Sequence, residues 1–143
     1  MIYFDNNSTT RVFQSTVEAM RPFLTEHFAN PASAIAQFGR IPQSIQANKA
    51  RLAKALGADA PDQLVITSGA TESNNLALLG TARAAPNRRH VIVSSIEHPS
   101  VMEVCELLRA DGYRISTLPV RPEGIVDEEA LAGMLAVDTL LVS

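Results

Sequence analysis

Leu64-Val65-Ile66-Thr67 runs directly into Ser68-Gly69-Ala70-Thr71-Glu72. The short, unbroken apolar run predicts a strand buried on both faces, as in a parallel sheet. The residues after it predict a turn and then a helix to about residue 83. Downstream the alternation repeats. His90 to Ile96 reads as a strand, and Pro99 with the box Ser100-Val101-Met102-Glu103 starts a helix that Gly112 closes. Tyr113 to Val120 is a strand, Asp127 caps a helix over 128–136, and Thr139 to Ser143 begins a further apolar strand. Strand–helix alternation with apolar strands implies an α/β fold with a mainly parallel sheet and helices on both faces. Leu140-Leu141-Val142 at a bare C-terminus would leave an apolar strand poorly protected, so the chain reads as an incomplete piece of a longer one.

Upstream, Ile41, Ile45, Leu52 and Leu56 recur on one side of a helix over 41–56, with Gly57 as its stop. Residues 29–40, ANPASAIAQFGR, read as a loop. A helix over 15–26 fits the capping box Ser15-Thr16-Val17-Glu18, and Pro22 should kink or split it. Residues 1–14 form an N-terminal arm, and 15–143 the first part of one larger domain.

Composition bounds the function. The chain has 143 residues, 46% hydrophobic and 19% charged, with a net charge of −3, so it can bury a core and is not intrinsically disordered. One cysteine excludes a disulfide framework or a cysteine-rich zinc module. The acidic balance argues against nucleic acid as a partner. No apolar run approaches the roughly 18 residues of a membrane span, and the first residues carry no signal core; the default is a cytoplasmic protein. The carboxylates show no metal-ligand spacing, and Glu128-Glu129 suits the first turn of a helix.

Ligands of open α/β sheets bind beyond the carboxyl ends of the strands, and two segments fall there. In the first, Gly69 permits a tight turn and close approach, Ala70 is too small to obstruct, and Thr71 adds a hydroxyl to the free N–H groups of the next helix. That suits a phosphate; it also suits an ordinary βα turn with a good cap. The second holds His98, placed to stack on a flat ring or move a proton, or simply to cap the next helix. His27 ends a helix, and His90 reads as part of a solvated turn after Arg88-Arg89. Cys105 shares an apolar helix face with Val101, Val104 and Leu108, which predicts a buried, inert thiol. The only lysines, Lys49 and Lys54, read as solvated residues on a helix surface.

Four stretches carry a resemblance: Tyr3-Phe4-Asp5-Asn6-Asn7-Ser8-Thr9-Thr10, Asn30-Pro31-Ala32-Ser33, Ser68 to Asn75, and Glu97-His98-Pro99-Ser100-Val101. In this order they resemble cysteine desulfurases of the nitrogen-fixation type, within the class V aminotransferase group of pyridoxal phosphate (PLP) proteins. The resemblance runs from residue 2 to 143. It implies the large domain of a fold-type I PLP enzyme, normally a homodimer. It also implies conversion of L-cysteine to L-alanine with an enzyme-bound persulfide, used with an iron–sulfur scaffold protein.

By that resemblance Ala70 and Thr71, beside Gly69, bind the cofactor's phosphate. His98 stacks on its ring and assists proton transfer, and Asn6 and Asn7 lie on the substrate side. Two departures stand out. Ala34-Ile35-Ala36 holds no histidine where the family often has one. The family's ring-pairing aspartate, Schiff-base lysine and sulfur-accepting cysteine have no counterpart, since Lys49, Lys54 and Cys105 do not match them. The resemblance therefore implies a segment that is inactive alone. The alternatives are a non-catalytic phosphate- or PLP-binding remnant, or another class V member such as a selenocysteine lyase.

Overall fold

The computed structural model describes residues 2–143, apart from the Gln37 side chain. They gather into two compact units, one ending at Val65 and the other spanning Ile66–Ser143.

The first unit is helical: α1 (Gln14–Thr25), α2 (Ala34–Phe38) and α3 (Ile41–Ala55), then one 3-10 turn at Pro61–Gln63. The expected capping box of α1 does not form, because the helix starts a residue early with Phe13 at its N-cap. Ser15 then lies inside the turn it was to cap, and Glu18 accepts instead from Gln14 Nε2 at 3.0 Å. Pro22 sits within α1 without splitting it. The expected loop over 29–40 contains α2, and Ala36 N–H donates to Ser33 Oγ at 3.3 Å as that turn opens. α3 ends as its glycine predicts. Gly57 adopts φ 75°, its N–H reaches Lys54 O at 3.2 Å, and Ala58 N–H reaches Ala53 O at 2.9 Å. The apolar stripe of α3 is covered only in part, with Ile41 buried and Leu56 66% exposed.

The strand expected at Leu64–Thr67 is absent. The segment enters no sheet, and Val65 and Ile66 are exposed. An apolar run becomes a strand only by pairing, and the three described strands pair with one another.

The second unit runs α4 (Ala70–Ala84), β1 (His90–Ser94), α5 (Pro99–Ala110), β2 (Arg114–Leu118), α6 (Glu128–Met134) and β3 (Thr139–Val142). The sheet has the order β2-β1-β3 and is parallel throughout, as the alternation predicts. All five residues of β1 are buried. Val91 and Val93 pack against Leu78 and Ala82 of α4 and Val101, Val104, Cys105 and Leu108 of α5. Each Val or Leu side chain among them contributes about 1.5–3 kcal/mol on full burial.

Local chemistry sets the helix ends. Gly112, at φ 86°, lets Tyr113 N–H reach Leu108 O at 2.9 Å and stop α5. Asp127 Oδ1 accepts from Glu129 and Ala130 N–H at 3.1 and 3.0 Å to start α6. The Ser100–Glu103 box does not start α5; the N-cap is His98, and Ser100 lies in the first turn.

His90 also departs from expectation. It is fully buried rather than solvated. β1 is the central strand, so neighbours flank its first residue on both sides. His90 Nδ1 lies 2.9 Å from Thr139 Oγ1 of β3, and Nε2 lies 2.9 Å from Ser116 Oγ of β2. Burial lowers its pKa from the ordinary value, Arg114 lowers it further, and Asp138 opposes them.

Candidate functional site

The chain leaves β1 through α5 to β2 on one side, then returns through α6 to β3 on the other. Such a reversal opens a crevice at the carboxyl ends of the strands. His98 stands there, four residues beyond the end of β1.

Two helix starts build the site. α4 is a 15-residue helix whose N-cap, Gly69, supplies no side-chain hydrogen bond. The first N–H groups, from Ala70 onward, therefore remain available, at the positive end of the helix dipole. The turn before them is tied internally. Glu72 accepts from both the N–H and the hydroxyl of Ser68 at 2.6 Å. These two bonds, the hydroxyl's first, hold the Glu72 pKa below its ordinary value, against a small opposing effect of burial. Thr67 Oγ1 donates to Gly69 O at 3.1 Å and lies 2.7 Å from Ser73 Oγ. The carboxylate thus points back to Ser68, and among the described residues Thr71 Oγ1 has no partner.

Gly69 departs from the tight-turn reading. Its φ of 165° and ψ of 179° are extended backbone open to any residue. What it provides is space, since a Cβ there would meet nothing within 4 Å.

At the second helix start, His98 caps α5. Ser100 N–H donates to its Nδ1 at 3.1 Å, and Ser100 Oγ lies 2.9 Å from the same nitrogen. Asn74, in the second turn of α4, donates from Nδ2 to Ser100 Oγ at 2.8 Å. The capping role foreseen for His98 is therefore present, and it leaves Nε2 free on an exposed ring. Sequence reasoning missed the bond from Asn74 to Ser100 behind His98, because it joins residues 26 apart.

The other foreseen residues divide. Asn6 and Asn7 lie exposed in the first unit, in a turn closed by Ser8 N–H on Asp5 O at 3.1 Å. Cys105 is fully buried, and that burial raises its pKa. Lys54 is exposed, while Lys49 is half-buried. A groove of about 270 Å³ runs beside the site between α4 and β3, lined by Asn74, Ala77, Leu78, Thr81 and Leu141–Ser143. It shares only Asn74 with the residues above.

Residues 2–143 match the aminotransferase class-V family. The chain belongs to the class V aminotransferases. Among relatives of this class V chain, it is 38% identical over 142 residues to the cysteine desulfurase NifS of Azotobacter vinelandii, covering 99% of this chain and 35% of the relative. It is 43% identical over 144 residues to the cysteine desulfurase IscS of Dictyoglomus turgidum, covering 99% of this chain and 36% of the relative. A solved NifS-like protein superimposes with a TM-score of 0.88 at 35% identity, over 99% of this chain and 39% of that one. SspA, solved in complex with cysteine, superimposes with a TM-score of 0.87 at 33% identity, over 98% of this chain and 40% of that one. The chain thus spans little more than a third of the length of these relatives. The fold is that of fold-type I PLP enzymes over part of their length.

The class V family uses PLP, and the α4 start fits its phosphate. A dianion there would meet uncapped N–H groups, a free hydroxyl and open space at Gly69.

Proposed function

We propose that the chain is the N-terminal portion of a PLP-dependent cysteine desulfurase. The complete enzyme converts L-cysteine to L-alanine and leaves the sulfur as an enzyme-bound persulfide for iron–sulfur cluster assembly. In this reading residues 1–14 are an arm, and residues 15–143 are the first part of the cofactor-binding large domain. The whole is a cytoplasmic homodimer that delivers sulfur to a scaffold protein. The observation that carries the reading is the run of hydrogen bonds from Asn74 through Ser100 to His98. It ties the start of α4 to the start of α5, beyond the carboxyl end of β1. The likeness to NifS, and to SspA solved with cysteine, supports the substrate.

The N–H groups of Ala70 and Thr71 and the Thr71 hydroxyl bind the phosphate, each hydrogen bond to the dianion contributing about 1.5–3 kcal/mol. Gly69 keeps the approach clear. His98 lies against the ring and moves a proton through Nε2, its Nδ1 being engaged by Ser100. Asn6 and Asn7 stand on the substrate side. Bound PLP supplies the electron sink for bond breaking in the amino acid. Cys105 is too buried to accept sulfur, and Lys49 and Lys54 both lie on α3, where neither matches the family's Schiff-base lysine. The 143 residues alone are then not competent for turnover.

Titration of the chain with PLP and with pyridoxal, which lacks the phosphate, tests this. PLP should bind saturably, and pyridoxal at least about tenfold more weakly. Equal affinity for the two would overturn the phosphate assignment. Release of alanine from L-cysteine by these residues alone would overturn the claim of incompetence.

A further inference from the structure

Nδ1 of His98 faces two donors from one residue. Ser100 N–H points at it from 3.1 Å, and Ser100 Oγ stands 2.9 Å away. A backbone N–H cannot turn around, so Nδ1 must offer a lone pair. The hydroxyl could rotate, but Asn74 Nδ2 donates to Ser100 Oγ at 2.8 Å and occupies one of its lone pairs. The hydroxyl proton is then directed toward Nδ1. In the neutral ring the single proton is left on Nε2.

We infer that Ser100 and Asn74 are positioning residues that fix neutral His98 as its Nε2–H tautomer, so that the ring meets its ligand as a hydrogen-bond donor. The inference rests on the proposed function for its catalytic meaning, because the ligand in question is PLP or its amino-acid substrate. The tautomer itself belongs to the protein. In direction, Asn74 gives to Ser100, Ser100 gives to Nδ1, and Nε2–H gives outward. A substrate proton cannot be taken up at Nε2 while that nitrogen keeps its own, so in this form the ring offers a hydrogen bond outward and orients what lies against it.

Ring-nitrogen NMR of ¹⁵N-labelled chain, recorded at alkaline pH without cofactor, tests this directly. Nδ1 of His98 should show a pyridine-like shift and Nε2 a pyrrole-like one. The reverse pattern, or an even mixture, overturns the inference with no variant needed. Ser100→Ala keeps the backbone donor and loses the hydroxyl, so the tautomer ratio should fall about threefold, the worth of one modest hydrogen bond. Ser100→Thr should restore it. Asn74→Asp turns the hydroxyl proton toward a carboxylate and should move the ratio at least as far as Ser100→Ala. Ratios unmoved in both variants would leave Ser100 and Asn74 as packing alone and overturn their positioning role. Should PLP fail to bind while the tautomer is found, the functional reading falls and this one stands.

Discussion

His90 Nδ1 and Thr139 Oγ1 lie 2.9 Å apart, and the pair joins the central strand to β3 inside the protein. With Ser116 Oγ on the other ring nitrogen, the imidazole bridges all three strands. A proton added to the ring would turn its acceptor nitrogen into a second donor and place a charge in a buried site. Burial accordingly lowers the His90 pKa from 6.5. The folded chain binds this proton less readily than the unfolded chain. The stabilisation is therefore complete above pH 6.5 and is lost as pH falls through 6.5 toward the lower folded value. Urea midpoints measured across this range should fall on acidification. His90→Gln should be less stable near neutrality yet show a flatter profile. Parallel profiles for the two proteins would contradict this.

Thr139→Val removes the β3 partner and keeps the shape. One ring nitrogen is then left unpaired in a buried site, at a cost of about 1–3 kcal/mol. Ser116→Ala should cost a similar amount from the β2 side. The double variant should cost less than the sum, since both changes act on one ring. Denaturant unfolding of the four proteins provides the cycle.

Glu72 should leave a second, more acidic signature. Its carboxylate is held ionised by the Ser68 hydroxyl and N–H, which lowers its pKa from 4.5. The contribution to the α4 start is present above pH 4.5 and fades as pH falls through the lower folded value. Glu72→Gln should flatten the thermal-midpoint profile in that acidic window alone. The side chain is exposed, so the change near neutrality should be small.

What the sequence reveals of this fold is what neighbours in sequence decide. Gly57 and Gly112 end their helices as read, and Asp127 starts α6 as read, because each acts on backbone within a few residues. The parallel sheet was legible from the alternation of strands and helices, and β1 and β2 fall within the runs read at His90 and Tyr113. The failures share a cause. Ser15 and Ser100 fit capping patterns, yet Phe13 and His98 take the N-caps, since the chain enters each helix earlier than the pattern requires. Leu64–Thr67 has a strand's composition but no described strand beside it. His90 looks solvated until partners 26 and 49 residues away close over it. Within the candidate site, the helix start at Ala70 and Thr71 and the place of His98 just beyond a strand were legible, although the strand expected before Ala70 does not form. Asn74 and Ser100 were not, because their meeting depends on how α4 packs on α5.

Cys105 gives a test of the core that the site does not depend on. It is fully buried among Val101, Val104 and Leu108, and its pKa is raised by that burial. Thiolate is the reactive form, so an alkylating reagent should label the native chain only as fast as the chain opens. Unfolding in denaturant should bring labelling at the rate of a free thiol. Cys105→Ala removes one atom from the packed face and should cost about 1 kcal/mol, as for loss of a single methylene. Cys105→Ser keeps the volume but buries a hydroxyl, at a further cost of up to about 3 kcal/mol if it goes unpaired. Neither variant should change PLP binding, because Cys105 faces the core and not the helix starts. Rapid labelling of the native chain, or a loss of PLP affinity in Cys105→Ala, would place the thiol in the site and contradict the buried packing of α5.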